Sequence, residues 1–492
     1  MVNRIFKKTA LVAPSLIISL WIVVGVVTQI SHILLAPFPE TPWEAAMTLE
    51  AVRFATGLPV FENPETGHAT HMYGSLYTAI LGSMFWLTEP SNITGRILSL
   101  ICALGILVLV LVVGATKKQW MWIVVGSAML AGIHLKARGY FVSTRPDMLA
   151  LFTMSIALIF LFRALEKGKT GWLYVGLVAT LAATFLKQTM APFALVPVLA
   201  HWLARERQWG GLKLGLALVP AVCVTTSVLI MAACFPDAFF YMVSVPKQYP
   251  ISPGKFVKAL YELIVALPVF LIMLWDFSRD SVTRSQLLDP VLRWIVSCVA
   301  IAIPVSAIGL AKAGGTTNSL LPALLSITLF CVWYGSRADW MAADRPTLAM
   351  ADFFRCCLLG FLLWASFQPP NPLRLVREES TDSRWREWPQ LVSDLALLQG
   401  RVVSPKEPTL TYFARGQFDR NIYLEYDAVG YPEKMPQYIQ AWLSSADYII
   451  DAHYRFDSNY TPLSATILAP LGFIEFKKGA SYTIFRKSGG AD

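Results

Sequence analysis

The amino-acid sequence predicts a mainly α protein: a polytopic transmembrane helix bundle of about 11 spans, with an interfacial helix in its first outer loop, followed by a small soluble α/β domain. Three observations predict it. Hydrophobic residues make up 55% of the 492 and charged residues only 15%, with a mean hydropathy of +0.53, more apolar than a soluble globular average. The apolar residues fall in long runs separated by short basic segments, the pattern of a chain that crosses a bilayer repeatedly. After residue 368 the runs give way to short alternating segments punctuated by turn residues, as in a small layered domain.

The first span follows from a basic start (Arg4, Lys7, Lys8) and an apolar run from Thr9 to Leu35. That run is longer than a signal-peptide core and has no small-residue cleavage site, so it reads as retained. Further spans are expected near 97–115, 120–135, 147–163, 172–186, 190–204, 212–234, 259–275, 293–311, 318–334 and 353–368. Several fall short of the ~20 residues a spanning helix needs, and these are expected to borrow flanking residues or to stop beside a buried cavity.

The stretch 74–88 is apolar but only 15 residues long and is split by Gly82. Placed along the outer interface, it leaves the basic segments 1–8, 116–119, 163–171, 205–213, 276–293 and 335–355 all on one side, as the positive-inside bias requires. The expected location is the plasma (inner) membrane, multi-pass, with the N-terminus cytoplasmic and the C-terminal domain periplasmic or extracellular. The first outer loop, 36–96, holds six acidic and two basic residues. It is too long and too polar to be a mere connector.

Gln368-Pro-Pro-Asn-Pro cannot continue a helix and divides a membrane part, 1–368, from a domain at 369–492. In the latter, 401–404, 421–426 and 447–451 read as strands, 434–445 and 461–471 as helices, and 472–486 as a hairpin bent near Gly479. This domain lacks G-x-G-x-x-G and any P-loop, so no nucleotide site is expected there. The net charge of +9 belongs to the membrane part, where Lys and Arg are scattered between apolar runs; this pattern signals loop retention and no nucleic-acid partner. All seven Cys lie before residue 369 within apolar stretches, which argues against a disulfide framework.

Chemistry is expected on the outer side. Glu40 and Glu44 flank Pro42 in Pro39-Glu-Thr-Pro-Trp-Glu44. A carboxylate just above the bilayer is partly desolvated, which raises its proton affinity and suits a general base. The same residues equally serve an acidic helix N-terminus. His68 and His71, three apart, could share a metal on one helical face, but no third ligand stands in a matching local motif, so no metal is assigned. Lys136, Arg138 and Arg145, with Lys187 and Lys312 in very short turns, lie on the outer side against the positive-inside trend. Cations converging there from separate helices suit a phosphate headgroup, whereas any one alone can snorkel. Arg145-Pro146-Asp147 also starts a helix well, although a cation at that end opposes the dipole. Gly314-Gly315-Thr316-Thr317-Asn318 reads as a tight turn and cap facing the same side.

These residues, in this order, resemble the C-type (GT-C fold) polytopic membrane glycosyltransferases, which include the protein O-mannosyltransferases and the aminoarabinose lipid A transferases. The likeness covers about residues 1–368. It rests on the acidic loop with Glu44, Tyr73-Gly-Ser-Leu-Tyr77, Gly95-Arg96-Ile-Leu-Ser99, Arg145-Pro146-Asp147, Leu186-Lys187-Gln188-Thr189, and Lys312 with the following glycines and Asn318. The resemblance implies transfer of a sugar from a polyprenyl-phosphate carrier to an acceptor hydroxyl of a glycan, lipid or protein at the outer face, with inversion. It implies Glu44, or Glu40, as general base; Lys187, Arg145, Lys312 and Arg138 on the donor phosphate; and His71, Tyr73, Gln188 and Asn318 as further substrate contacts. No cofactor is implied; a divalent metal has no support in the sequence. Two departures stand out. Trp43-Glu44 replaces the adjacent Asp-Glu pair of many relatives, and the tail matches no one activity. The rival reading is a transporter or flippase of a lipid-linked sugar, against which stands the lack of an internal repeat.

Overall fold

A computed structural model of the chain describes residues 2–488 apart from 64, 66, 69–70, 115–119, 137–138, 205–210, 267–269, 272–288, 313, 338–381, 423–434 and 454–464. The membrane part contains α1 (Val2–Leu35), α2 (Pro42–Ala55), α3 (Ser75–Phe85), α4 (Asn92–Gly114), α5 (Trp120–Lys136), α6 (Asp147–Glu166) and α7 (Gly171–Leu186). It continues with α8 (Val196–Trp202), α9 (Gly211–Cys234), α10 (Pro236–Phe239), α11 (Val245–Gln248), α12 (Pro253–Ala266), α13 (Pro290–Ala311) and α14 (Leu321–Arg337).

Among the described residues six segments are long and apolar enough to cross a membrane: 17–35, 92–113, 147–166, 211–234, 290–311 and 317–336. The chain is therefore a multi-pass membrane protein. In α4 the reason is visible on the surface. Ile97, Ile101, Leu104, Val108 and Val112 form an exposed apolar stripe at helical spacing, while Cys102, Ile106 and Val110 are buried on the other side; only a lipid solvent tolerates such a stripe. The bundle's core is one apolar cluster that joins α1, α4, α5, α6, α13 and α14.

The expected count of about 11 spans is larger than these six. The expected span 190–204 is a 3-10 helix over Gln188–Leu195 followed by the short α8. Pro192 and Pro197 each remove a ladder donor, so no long helix forms there. α3 has 11 residues, a rise of about 16 Å against a hydrocarbon core of about 30 Å. The expected span 353–368 and the boundary at 368/369 lie outside the described residues.

The C-terminal domain contains α15 (Arg384–Leu397), β1 (Val402–Val403), α16 (Pro408–Arg415), α17 (Gln437–Ser444), β2 (Tyr448–Ala452), α18 (Ala465–Leu468), β3 (Phe473–Lys478) and β4 (Tyr482–Lys487). Its sheet has the order β1-β2-β4-β3, parallel between β1 and β2 and antiparallel elsewhere. Alternation sends Val403, Ile449 and Phe485 to one face with α17 and α18, and Val402, Ile450 and Ile484 to the other with α15 and α16, as the period of two along a strand dictates. The expected α/β layers and the terminal hairpin are present. Helices α15 and α16 were not expected, and of the expected strand 421–426 the described residues 421–422 are irregular.

Candidate functional site

Four chain reversals and the start of α2 meet around one cavity of about 140 Å³. α5 gives way to Gly139, whose φ of +83° suits glycine, then to a 3-10 turn over Tyr140–Val142 that delivers Arg145 just ahead of α6. Lys187 takes an extended backbone at the end of α7, and Lys312 does the same at the end of α13. Arg145, Lys187, Lys312, Tyr73, Gln188 and Asn318 all line this cavity, together with Trp43, Tyr249 and Thr316. Two glycines permit the crowding: a Cβ on Gly74 would lie 1.7 Å from the Phe185 carbonyl oxygen, and one on Gly315 would lie 2.4 Å from that of Gly309.

The cations are held in different ways. Arg145 Nη2 donates to the Tyr73 hydroxyl at 2.7 Å, and the guanidinium sits 4.7 Å from the Tyr140 ring centre and 5.8 Å from that of Trp43. Its Nε and Nη1 have no hydrogen-bond partner. Lys187 Nζ pairs with Asp147 Oδ1, which also accepts from Asn318 Nδ2 at 2.9 Å. Asp147 Oδ2 lies 3.4 Å from Arg145 Nε and has no hydrogen-bond partner. Lys312 Nζ donates to the Pro246 carbonyl at 3.0 Å, and burial lowers its ammonium's proton affinity. Gln188 Nε2 donates to the Met72 carbonyl. One carboxylate, Asp147, thus pairs with two of the three cations.

The two glutamates do not join them. Glu44 is fully buried and points away from the cavity that its neighbour Trp43 lines. Its carboxylate accepts from Arg96 Nε (3.2 Å) and Nη2 (2.8 Å), from the Thr144 N–H (2.8 Å) and from the Glu40 N–H (2.7 Å). Burial pushes this carboxyl up, but the Arg96 guanidinium and the backbone donors hold it below the usual range. Glu40 pairs with Arg384 of the C-terminal domain at 3.0 Å, and burial raises its proton affinity. Neither Glu44 nor Glu40, the two residues expected as general base, is among those lining the cavity: Glu44 pairs with Arg96 and Glu40 with Arg384. Arg138 lies outside the described residues.

His71 stands behind the wall. Its ring packs edge-on against Trp43, with centres 4.8 Å apart, and its backbone N–H donates to Glu50 Oε1 at 2.7 Å. Burial raises the Glu50 carboxyl to about 8 and, with Arg145 nearby, lowers the His71 imidazole to about 3, so the pair is neutral near pH 7. Among the described residues no three His, Cys, Asp or Glu side chains gather as a metal site.

Sequence reasoning gave Asp147 only to the start of α6, where it complements the helix dipole, and did not place it beside Lys187 and Arg145. It also missed Trp43 as a wall residue. A second, apolar cavity of about 350 Å³ runs between α4, α6, α13 and α14, lined from Leu151 to Arg163 along α6. Pro322 lines both cavities.

No protein-family model and no curated protein matches the sequence. Solved structures do. ArnT from Cupriavidus metallidurans bound to undecaprenyl phosphate superposes with a TM-score of 0.56 at 14% identity, over 96% of this chain and 98% of that one. The same enzyme in the apo state gives 0.56 at 13%, over 95% and 97%. The oligosaccharyltransferase of Archaeoglobus fulgidus reaches 0.47 at 10%, over 91% and 69%. The chain thus shares, over nearly its whole length, the fold of the solved ArnT.

Proposed function

We propose that this protein is a membrane glycosyltransferase that moves a sugar from a polyprenyl-phosphate carrier to an acceptor at the outer face of the plasma membrane. The carrying observation is the cavity itself: Arg145, Lys187 and Lys312, from three separate turns, face one space that meets an apolar cavity at Pro322. A phosphate fits the first and the start of an isoprenoid chain fits the second. The solved ArnT holds undecaprenyl phosphate, and the fold in common with it supports the same ligand class here.

In this reading the three cations stabilise the charge that gathers on the phosphate as its bond to the sugar's anomeric carbon breaks. An acceptor hydroxyl attacks from the opposite side, with inversion, and loses its proton. We assign that proton to Asp147, the carboxylate behind Arg145 and Lys187, whose Oδ2 accepts no hydrogen bond although it lies 3.4 Å from Arg145 Nε; its pairing with the two cations opposes protonation, so they must turn to the phosphate before it can act. Glu44 then serves to fix α2 against α4. Purified protein supplied with radiolabelled polyprenyl-phosphate monosaccharides, and scored for loss of label from the lipid, tests the reaction. Mass spectrometry of cells lacking the protein tests the substrate: one accumulating polyprenyl-phosphate monosaccharide supports the reading, and an unchanged lipid pool sinks it.

A further inference from the structure

The C-terminal domain meets the membrane part through apolar contacts of Tyr412, Phe418, Trp385 and Trp388 and through buried polar contacts that continue, link by link, to the cavity. Arg384, at the start of α15, inserts its guanidinium 4.3 Å from the centre of the Phe38 ring. Its Nη2 donates to Glu40 Oε2 at 3.0 Å and to Asp382 Oδ2 at 2.7 Å, so Asp382 sets the direction in which it points. Glu40 passes the constraint on through its backbone, because its N–H donates to Glu44 Oε2 at 2.7 Å. The other oxygen of Glu44 accepts the Thr144 N–H at 2.8 Å. Thr144 is bonded covalently to Arg145, and its hydroxyl donates to the Asn92 carbonyl at 2.8 Å. Arg384, Glu40, Glu44, Thr144 and Arg145 are all less than a tenth exposed.

We propose that Arg384 is a positioning residue for Arg145, so that docking of the C-terminal domain sets the geometry of the anion-holding cavity through Glu40, Glu44 and Thr144. The proposal rests on the anion-binding reading of that cavity. Its physical basis is the cost of the arrangement. A domain that merely needs attachment can bury apolar surface, whereas placing an arginine beside a buried glutamate incurs a desolvation penalty that the pair regains only with good geometry. In a water-poor interface such links are stiff, and an anion site is sensitive to the placement of its charges. A second contact allows attachment to be separated from positioning: the hydrogen bond from Trp385 Nε1 to His32 Nε2 at 2.7 Å is not part of the relay, and Trp385→Phe removes it while keeping a ring against Phe38.

The test uses the full chain in detergent micelles. Hydrogen–deuterium exchange is followed over 140–147, and binding of undecaprenyl phosphate is measured in the same preparations. Arg384→Ala is expected to speed exchange over 140–147 about tenfold and to weaken binding about tenfold, with Arg384→Lys restoring much of both. Trp385→Phe is expected to alter exchange at 30–38 and 382–390 but not at 140–147. Where Arg384→Ala fails to fold, Glu40→Gln breaks the same link with its shape kept. Unchanged exchange over 140–147 in both Arg384→Ala and Glu40→Gln overturns the proposal, whether or not the ligand binds. Faster exchange with no undecaprenyl phosphate binding in the unaltered protein leaves the coupling standing and removes the ligand reading.

Discussion

Arg96 and Glu44 form a buried pair in which every guanidinium donor is used. Nε and Nη2 reach the Glu44 carboxylate, Nη1 reaches the carbonyls of Ile33 and Ala36, and Nη2 also reaches that of Phe38. One arginine thus closes the end of α1, ties down the entry to α2 and holds α4 in place. Removing one partner strands a charge in the protein interior, a loss of about 3–5 kcal/mol. Glu44→Gln is accordingly expected to lower the thermal unfolding temperature and, because Glu44 holds the Thr144 N–H just ahead of Arg145, to weaken undecaprenyl phosphate binding as well. A variant with normal stability and no turnover would restore Glu44 as the base.

Asp147→Asn also strands buried charge, on Lys187 and Arg145, but is expected to act on the rate. Loss of a positioned proton acceptor costs about 10²–10⁴-fold in rate, and loss of one negative charge beside Lys187 and Arg145 should tighten rather than weaken binding of a phosphate. Turnover within tenfold of the unaltered protein would exclude Asp147 from proton transfer.

Arg145→Ala and Lys187→Ala should weaken donor binding more than they slow a saturated reaction. A unit-charge pair at 4 Å is worth between about 1 and 4 kcal/mol as the effective dielectric falls from that of water to about 20, so losses of tenfold or more in KM are expected. Raising the ionic strength should narrow the difference between variant and parent if the site is reached by water. KM values equal to the parent's would identify both residues as snorkelling side chains.

Glu50→Gln gives a pH signature. The carboxyl of Glu50 is raised to about 8 by burial, against an unfolded value near 4.3. From about pH 4 upward the unfolded chain releases this proton while the folded protein keeps it, so stability falls across that window and the whole loss is present above pH 8. Glutamine mimics the protonated form and can still accept the His71 N–H. The variant should match the parent at pH 4 and exceed it by up to about 3 kcal/mol at pH 7. Parallel unfolding curves from pH 4 to 8 would show that Glu50 is ionised in the fold.

Gly315→Ala probes the Lys312 turn, where the added carbon would meet three carbonyl oxygens at 2.4–2.8 Å. The turn must shift and carry Lys312 off Pro246. Donor binding should weaken with little change in the unfolding temperature; unaltered binding would remove Lys312 from the site.

The sequence made the membrane part legible because a lipid solvent leaves a strong mark on composition. The sequence singled out Arg145, Lys187 and Lys312 as cations near a bilayer on the unexpected side, and Tyr73, Gln188 and Asn318 only through the resemblance; the fold sets all six around one cavity. For Glu44 the sequence left a base and an acidic helix start both open, and the fold sets it against Arg96. A carboxylate at a helix start looks the same in sequence whether it faces a cavity or an arginine 52 residues away, and nothing local to Pro42–Ala55 distinguishes the two. Asp147 was hidden by a sufficient local explanation, and α15 by Pro389, which interrupts a pattern that the fold nonetheless accepts as helical.

The meeting of the two cavities at Pro322 bears on how the carrier would be measured. Leu151 to Arg163 along α6 spans about 18 Å, room for only the leading isoprene units, with the remainder of the chain left among the surrounding lipids. A carrier cut down to those first units should compete as well as the full-length one, whereas a saturated or rigid replacement near the phosphate should not. Discrimination among lipids would then reside in the shape of the carrier's head end, and its overall size would go unread.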